Sequence, residues 1–357
     1  MKEIKMIKVG IITSSLAETS GWGRYSFEVV KALKKSAEVK VISRPILPSP
    51  LSHPLRKIWS LPKVIKYFRD CDIIHCLVEP YAFMTALAAK FLGKPFIINA
   101  VGTYAVEPLN TLAGGWSLKY AYKKAAKILC ISRFTEQAIL KRVHLKNTAV
   151  VNLGVDFDKF QRPSDIGRRS PEKTIISVGA LKERKGYHVS IPAVGLVKKK
   201  YPDLRYYIVG NQSGKSYFAE LKKSAKKCNL NNSVSFLENI SDKTLISLYR
   251  RADLFLLTPV NIENNFEGFG LVYLEAGACG LPVIGASSCG AEDIIEPNHN
   301  GLLVPQNDVK KTAEALLYLL DNPGIAQNMG ERGREKAKKM SWENTVNQYL
   351  EIYKSII

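Results

Sequence analysis

Two series of short, continuously apolar segments, each interleaved with helical stretches, constrain this chain more than any other feature. The first series is VGIIT (9–13), VKVIS (39–43), DIIHC (72–76), PFIINA (95–100), KILCI (127–131) and TAVVNL (148–153). Between its members, RYSFEVVKALKK (24–35), FMTALAAKFLG (83–93) and FTEQAILKRV (134–143) have helical spacing. The second series is TIISVG (174–179), RYYIVG (205–210), SVSFL (233–237), DLFLLT (253–258), PVIGA (282–286) and GLLVP (301–305). Segments apolar on both faces suit strands covered from both sides, and strict alternation with helices demands parallel sheets with right-handed crossovers. The expected fold class is α/β, with two Rossmann-like doubly wound domains. At 357 residues the chain also exceeds what one hydrophobic core usually serves. The polar stretch FDKFQRPSDIGRRSPEK, 157–173, marks the join, giving an N-terminal domain over 1–165 and a C-terminal one over 166–340.

Charge and cysteines narrow the function classes. The net charge is +20, and residues 1–165 hold 26 Lys and Arg against 12 Asp and Glu. Such a field attracts a polyanion, an anionic membrane or a phosphorylated substrate. No aromatic–basic motif of a nucleic-acid module is present, so no specific nucleic-acid partner is expected. The six cysteines show no CxxC pair and no His at metal-ligand spacing. This points to reduced thiols, a cytoplasmic location and no metal site. No segment approaches the roughly 18 apolar residues of a membrane span, and the first apolar run better suits a buried strand than a signal segment. Residues 55–69, LRKIWSLPKVIKYFR, mix large apolar side chains with five cations and no acid. They fit either a helix lying on an anionic membrane or a surface helix whose apolar side joins the core.

In doubly wound sheets ligands bind at the carboxyl ends of strands, so the residues after each strand are the site candidates. In EGFGLVYLE, Glu267 and Glu275 flank a turn of Gly268, Phe269 and Gly270 that opens an apolar helical run at Leu271. Glycines let the backbone approach a ligand, and the helix start offers N–H groups to an anion. Two carboxylates beside a phosphate are tolerable if they accept hydroxyl hydrogens, which fits a sugar diphosphate. The same spacing also fits an ordinary helix start with Glu275 exposed. After TIISVG comes ALKERKG, whose Arg184 and Lys185 put cations at a second strand end, or form a solvated charged turn. Gly21 and Gly23, ahead of the first helix, form a second candidate phosphate cradle. The loop PVNIENNFEGFG is long enough to be functional or mobile.

Taken together and in order, Gly21, ERKG at 183–186, the Glu267–Glu275 pair, PVIGASSCGAEDII at 282–295 and NGLLVP at 300–305 carry a resemblance. The chain resembles the retaining glycosyltransferases of family 4, whose GT-B fold sets two Rossmann-like domains across a central cleft. VNLGVDFDKF (151–160) is similar to the segment that ends the first domain there. MSWENTVNQYLEIY (340–353) is similar to the closing helix, so 341–357 would return to the first domain. The resemblance implies transfer of a sugar from a nucleotide-diphosphate-sugar donor to a glycan, lipid-linked or small-molecule acceptor. Retention of configuration, no cofactor and no required metal are also implied. Glu275 would hold the donor ribose, Glu267 would lie against the transferred sugar, and Lys185 would pair with the diphosphate. Amides at Gly270 and Leu271, with Gly21, would complete the phosphate cradle.

Two departures stand out. Where the family usually has an Arg five positions before the Lys, this chain has Ala180, and Arg184 is the candidate substitute. Where the family often has a His before Gly-Thr, this chain has Val101, and His75 is the candidate sugar contact in its place. With both usual groups missing, a non-catalytic sugar-nucleotide binder serving a transferase, or a sugar-nucleotide epimerase of the same build, remains an alternative to the transferase. Peripheral contact with the inner membrane face is the expected location.

Overall fold

The computed structural model describes residues 6–17, 21–161 and 172–357. It contains two compact units, one made of the chain through Leu153 with Trp342–Ile357, the other of Gly154–Ser341. Both are α/β, each built on six parallel strands with flanking helices, as the two apolar series require.

The first unit holds β1 (Lys8–Ile12), β2 (Glu38–Ile42), β3 (Ile73–Cys76), β4 (Phe96–Ala100), β5 (Lys127–Cys130) and β6 (Thr148–Val150), in the order β2-β1-β3-β4-β5-β6. Strands β3 and β4 are buried at every residue, the consequence of helices on both faces. In the second unit lie β7 (Thr174–Val178), β8 (Arg205–Val209), β9 (Val234–Leu237), β10 (Leu254–Leu256), β11 (Val283–Ala286) and β12 (Gly301–Val304). Their order is β12-β11-β10-β7-β8-β9, so the direction of winding reverses between β7 and β10. Register is direct across that point: Phe255 of β10 pairs with Ile176 of β7 on one side and Val283 of β11 on the other.

Three features depart from the sequence reading. The first unit ends at Leu153, earlier than the polar stretch. The short helix Phe157–Phe160 packs on the helix Leu271–Ala278, and Cys279 Sγ donates to the Phe160 carbonyl at 2.9 Å, which ties this stretch to the second unit. Residues 162–171 of the expected join lie outside the described residues. A helix over Leu112–Lys124 was not legible, because Gly114 and Gly115 break its apolar period. Both glycines sit close against the preceding turn: a Cβ on Gly114 would lie 2.6 Å from Thr111 Oγ1, and one on Gly115 would make a tight contact, 3.1 Å from the Leu109 carbonyl oxygen. The segment 55–69 divides into Pro54–Lys57, a 3-10 turn Ile58–Ser60 and the helix Leu61–Phe68, with Pro62 in the first turn of the last. Leu61, Val64 and Phe68 enter the core while Trp59 stays outside, so the segment serves core and surface at once.

His75 is a correction. It is fully buried in β3, where its Nε2–H donates to Asn99 Oδ1 at 2.7 Å and its Nδ1 accepts from the Tyr353 hydroxyl at 2.6 Å. Asn99 Nδ2 donates in turn to the Tyr349 and Tyr25 hydroxyls, the former at 2.8 Å. With both ring nitrogens taken, His75 cannot reach a sugar; the network fastens the closing helix Trp342–Ile356 to the first sheet. Burial holds its imidazole neutral, down to about 4.

Candidate active site

Of the residues singled out by sequence, Arg184, Lys185, Glu267–Leu271 and Glu275 gather at the carboxyl ends of β7, β10 and β11, by the winding-reversal point where doubly wound sheets bind ligands. After β7 the chain makes a 3-10 turn, Glu183–Lys185, closed by Gly186 in the left-handed region at φ 73°. A Cβ there would stand 1.7 Å from the Thr258 carbonyl oxygen, so only glycine lets this turn lie on the end of β10. The Thr258 hydroxyl donates to the Gly186 carbonyl at 3.2 Å, and the Val260 N–H donates to that of Arg184 at 2.9 Å. The turn is thereby pinned to the loop that carries the acidic pair.

That geometry solves a problem of direction. Adjacent side chains on a regular element diverge, yet the tight turn brings both Arg184 and Lys185 to one oxygen, Oε2 of Glu267. Arg184 Nη1 lies 3.3 Å away, and Lys185 Nζ makes the closer contact. Only 11% and 10% of the Lys185 and Glu267 side chains are exposed. Burial alone would push the Glu267 carboxyl up, but Lys185 and Arg184 outweigh it and hold the group below its ordinary range. Lys185 is pulled down by burial, with Glu267 opposing.

The loop after β11 clasps the other side. The Gly290 N–H donates to the Glu267 carbonyl at 2.8 Å, and a Cβ on Gly290 would lie 2.0 Å from the Gly268 carbonyl oxygen. Phe269 is buried. Gly270 turns the backbone at φ 88° into the helix Leu271–Ala278, whose start has no side-chain cap. An uncapped helix start of this kind presents N–H groups that favour an anion. Glu275, within the second turn, is buried and accepts the Tyr249 hydroxyl at 3.0 Å. The ordinary-helix reading, with Glu275 exposed, therefore fails. The long loop before Glu267 is held too: the Asn261 N–H donates to Gln306 Oε1 at 2.7 Å and its side-chain amide to the Ser288 carbonyl at 2.8 Å.

Gly21 and Gly23 belong to the first unit, where they open the helix Gly21–Leu33 after β1. Among the described residues nothing stands within 4 Å of a Cβ built on Gly21, so their packing does not require glycine there. In this unit the winding reverses between β1 and β3. The sequence reading missed Glu79, just past β3. One of its oxygens accepts the Val101 N–H, while Oε2 is buried with no hydrogen-bond partner among the described residues. Burial pushes this carboxyl up to about 8. A lone Glu in VEPY carries no local signal for that state. Among the described residues no group of three or more His, Cys, Asp or Glu side chains is placed to hold a metal ion. None of the described helices is long and apolar enough to cross a membrane.

Comparison with known proteins agrees with this architecture. Residues 158–336 match the sequence profile of Glycosyl transferases group 1, and residues 15–159 that of Glycosyltransferase Family 4. The chain is 27% identical to the uncharacterized glycosyltransferase MJ1178 of Methanocaldococcus jannaschii, over 100% of this chain and 92% of that protein. It is 33% identical to a D-inositol 3-phosphate glycosyltransferase of Corynebacterium urealyticum over 60% of this chain and 52% of the relative. A GDP-mannose-dependent alpha-(1-6)-phosphatidylinositol monomannoside mannosyltransferase of Mycobacterium tuberculosis is 32% identical over 51% of this chain and 49% of its own. The chain thus spans about half the length of these last two relatives. Among solved structures, Anabaena Alr3699/HepE, crystallised with UDP-glucose, superposes with a TM-score of 0.80 at 18% identity, covering 98% of this chain and 100% of that one. WaaG, a glycosyltransferase of lipopolysaccharide biosynthesis, does so at 0.72 and 16% identity, covering 97% and 99%. At such identities these two establish the fold. The chain belongs to the Glycosyl transferases group 1 family and is a glycosyltransferase of the GT-B fold.

Proposed function

We propose that this glycosyltransferase moves a hexosyl group from a nucleotide-diphosphate-sugar to a glycan, lipid-linked or small-molecule acceptor, with retention and without a metal. The observation that carries the reading is the convergence of Arg184 and Lys185, which lie 83 and 82 residues from Glu267, on that one carboxylate. As the bond from the sugar C1 to the diphosphate oxygen breaks, negative charge gathers on the leaving group. Fixed cations offset charge of that kind best. In the free protein Glu267 pairs with both cations, so the buried Lys185 is not left without a counter-charge and the trio keeps one net positive charge for an anion. A bound diphosphate competes for them and leaves the Glu267 carboxylate to accept a hydroxyl of the sugar. The acceptor oxygen bonds to C1 on the face the diphosphate leaves, and its proton passes to the departing phosphate oxygen. Arg184 takes over the charge that Ala180 cannot supply.

In the same reading Glu275, oriented by Tyr249, binds the ribose, and the N–H groups at Gly270 and Leu271 bind phosphate oxygens. Assigning Gly21 and Gly23 to the phosphates, and retention itself, rests on the family resemblance. One relative is GDP-mannose-dependent and the superposing HepE was crystallised with UDP-glucose, so these two sugar nucleotides are the first to assay. Six cysteines in no disulfide, five of them buried, support a reducing cytoplasmic location.

Release of nucleoside diphosphate and free sugar from each donor, without acceptor, tests the proposal. Slow hydrolysis of one donor is expected. Tight donor binding with no sugar release would make the protein a binder, and interconversion of donors without acceptor would make it an epimerase.

A further inference from the structure

The first unit turns an apolar and basic surface outward that its own core leaves unpartnered. Along the helix Leu112–Lys124, Leu112 is 96% exposed, Trp116 is half exposed, and Lys119 and Lys123 follow, all outward. Their spacing of four, three and four residues places them on one face. The helix Ala82–Leu92 lies beside it: the Phe83 ring meets Trp116 edge-on at 4.8 Å, and Phe91 is 72% exposed next to exposed Lys90. The short helix Pro54–Lys57 packs against both, exposes Leu55 and leads to Trp59, which is 87% exposed. Isolated exposed apolar residues are ordinary, but adjoining helices that each turn large apolar side chains to water mark an interaction surface. Residues 44–135 hold thirteen cations and four acids, and none of those acids lies in the three segments that build this face.

We propose that this face docks the protein on an anionic lipid surface. Charge complementarity selects the occupant. A second copy of the chain would bring like charge against like charge. A nucleic acid would engage the lysines and gain little from Leu112 or Leu55, which have no stacking face. An anionic bilayer engages both sets: lysines meet headgroups, Trp side chains sit at the interface, and leucines enter the acyl boundary. The inference deepens the proposed transfer by placing the enzyme where a lipid-linked acceptor resides. Docking is measured without donor, so its failure leaves the donor chemistry standing, and the reverse also holds.

The test is sedimentation of the full chain with phosphatidylcholine vesicles, with and without phosphatidylglycerol, across salt concentrations. Binding to the acidic vesicles at low salt, release as salt screens the attraction, and no binding to neutral vesicles are expected. The exposed double variants Leu112→Ser/Trp116→Ser and Lys119→Glu/Lys123→Glu should each lower partitioning tenfold or more, with donor hydrolysis and thermal stability unchanged. Absence of binding at low salt, equal binding to neutral vesicles, or full binding by the Leu112/Trp116 variant overturns the proposal. Tighter binding to duplex DNA than to acidic vesicles would do the same and identify a polyanion surface.

Discussion

Glu79 and Glu267 occupy matching places in the two units, each beside the point where its sheet reverses winding, and they end in opposite states. Both are almost fully buried. Beside Glu267 stand two cations 82 and 83 residues away in sequence, and they hold it ionised. Glu79 has one backbone N–H and an unpartnered oxygen, so burial wins and its carboxyl rises to about 8. Burial penalises the charged form wherever it acts; what differs is the presence of a compensating charge. A carboxylate paired with cations can give them up to an anionic ligand, whereas a neutral acid holds none to give.

The largest expected effect would break this comparison at Glu79. Its folded value of about 8 lies above the ordinary 4.5, so between those pH values the folded state keeps a proton that the unfolded state has lost. Stability should therefore fall as pH rises through that window, by at most about 1.4 kcal/mol per pH unit, and level off above it. In Glu79→Gln this part of the slope should vanish, as denaturant midpoints of variant and parent at several pH values would reveal; an unchanged slope would mean that Glu79 is ionised after all. Glu267 runs the other way: its depressed value contributes stability above the ordinary glutamate range that is lost as pH falls through its folded value.

Lys185→Ala comes next, with turnover expected to fall roughly a hundredfold or more, as for other preorganised donors to a developing charge. Full steady-state activity in that variant would remove the phosphate site from the second unit. For Glu275→Ala, nucleoside diphosphate affinity measured by calorimetry should weaken by roughly 1.5 to 3 kcal/mol. Glu267→Ala should leave that affinity intact and lower turnover, because its proposed partner is the sugar. The smallest effect is expected at Arg184, whose longer contact suits a supporting role. Arg184→Ala should cost about tenfold in turnover, and the double variant with Lys185→Ala should fall short of the product of the single losses, as groups sharing one partner do. Full activity in Arg184→Ala would mean that the position of Ala180 has no substitute there.

Local pattern carried the strand–helix alternation, the helix start at Leu271 and the identity of the cations after β7, because period and turn chemistry depend on residues within about one turn of one another. It did not carry the helix Leu112–Lys124, whose two glycines break the apolar period although both sit close against the turn just before it, at Thr111 and Leu109. Nor could it carry the fate of His75, which is settled by Asn99 and Tyr353, 24 and 278 residues away. The sequence by itself determined two doubly wound layers and which side chains lie at the ends of their strands. Tertiary structure alone decided which of those side chains are charged, which are locked in the core and which face water. Ionisation depends on burial and on the nearest opposite charge, and both are supplied by parts of the chain that only folding brings together.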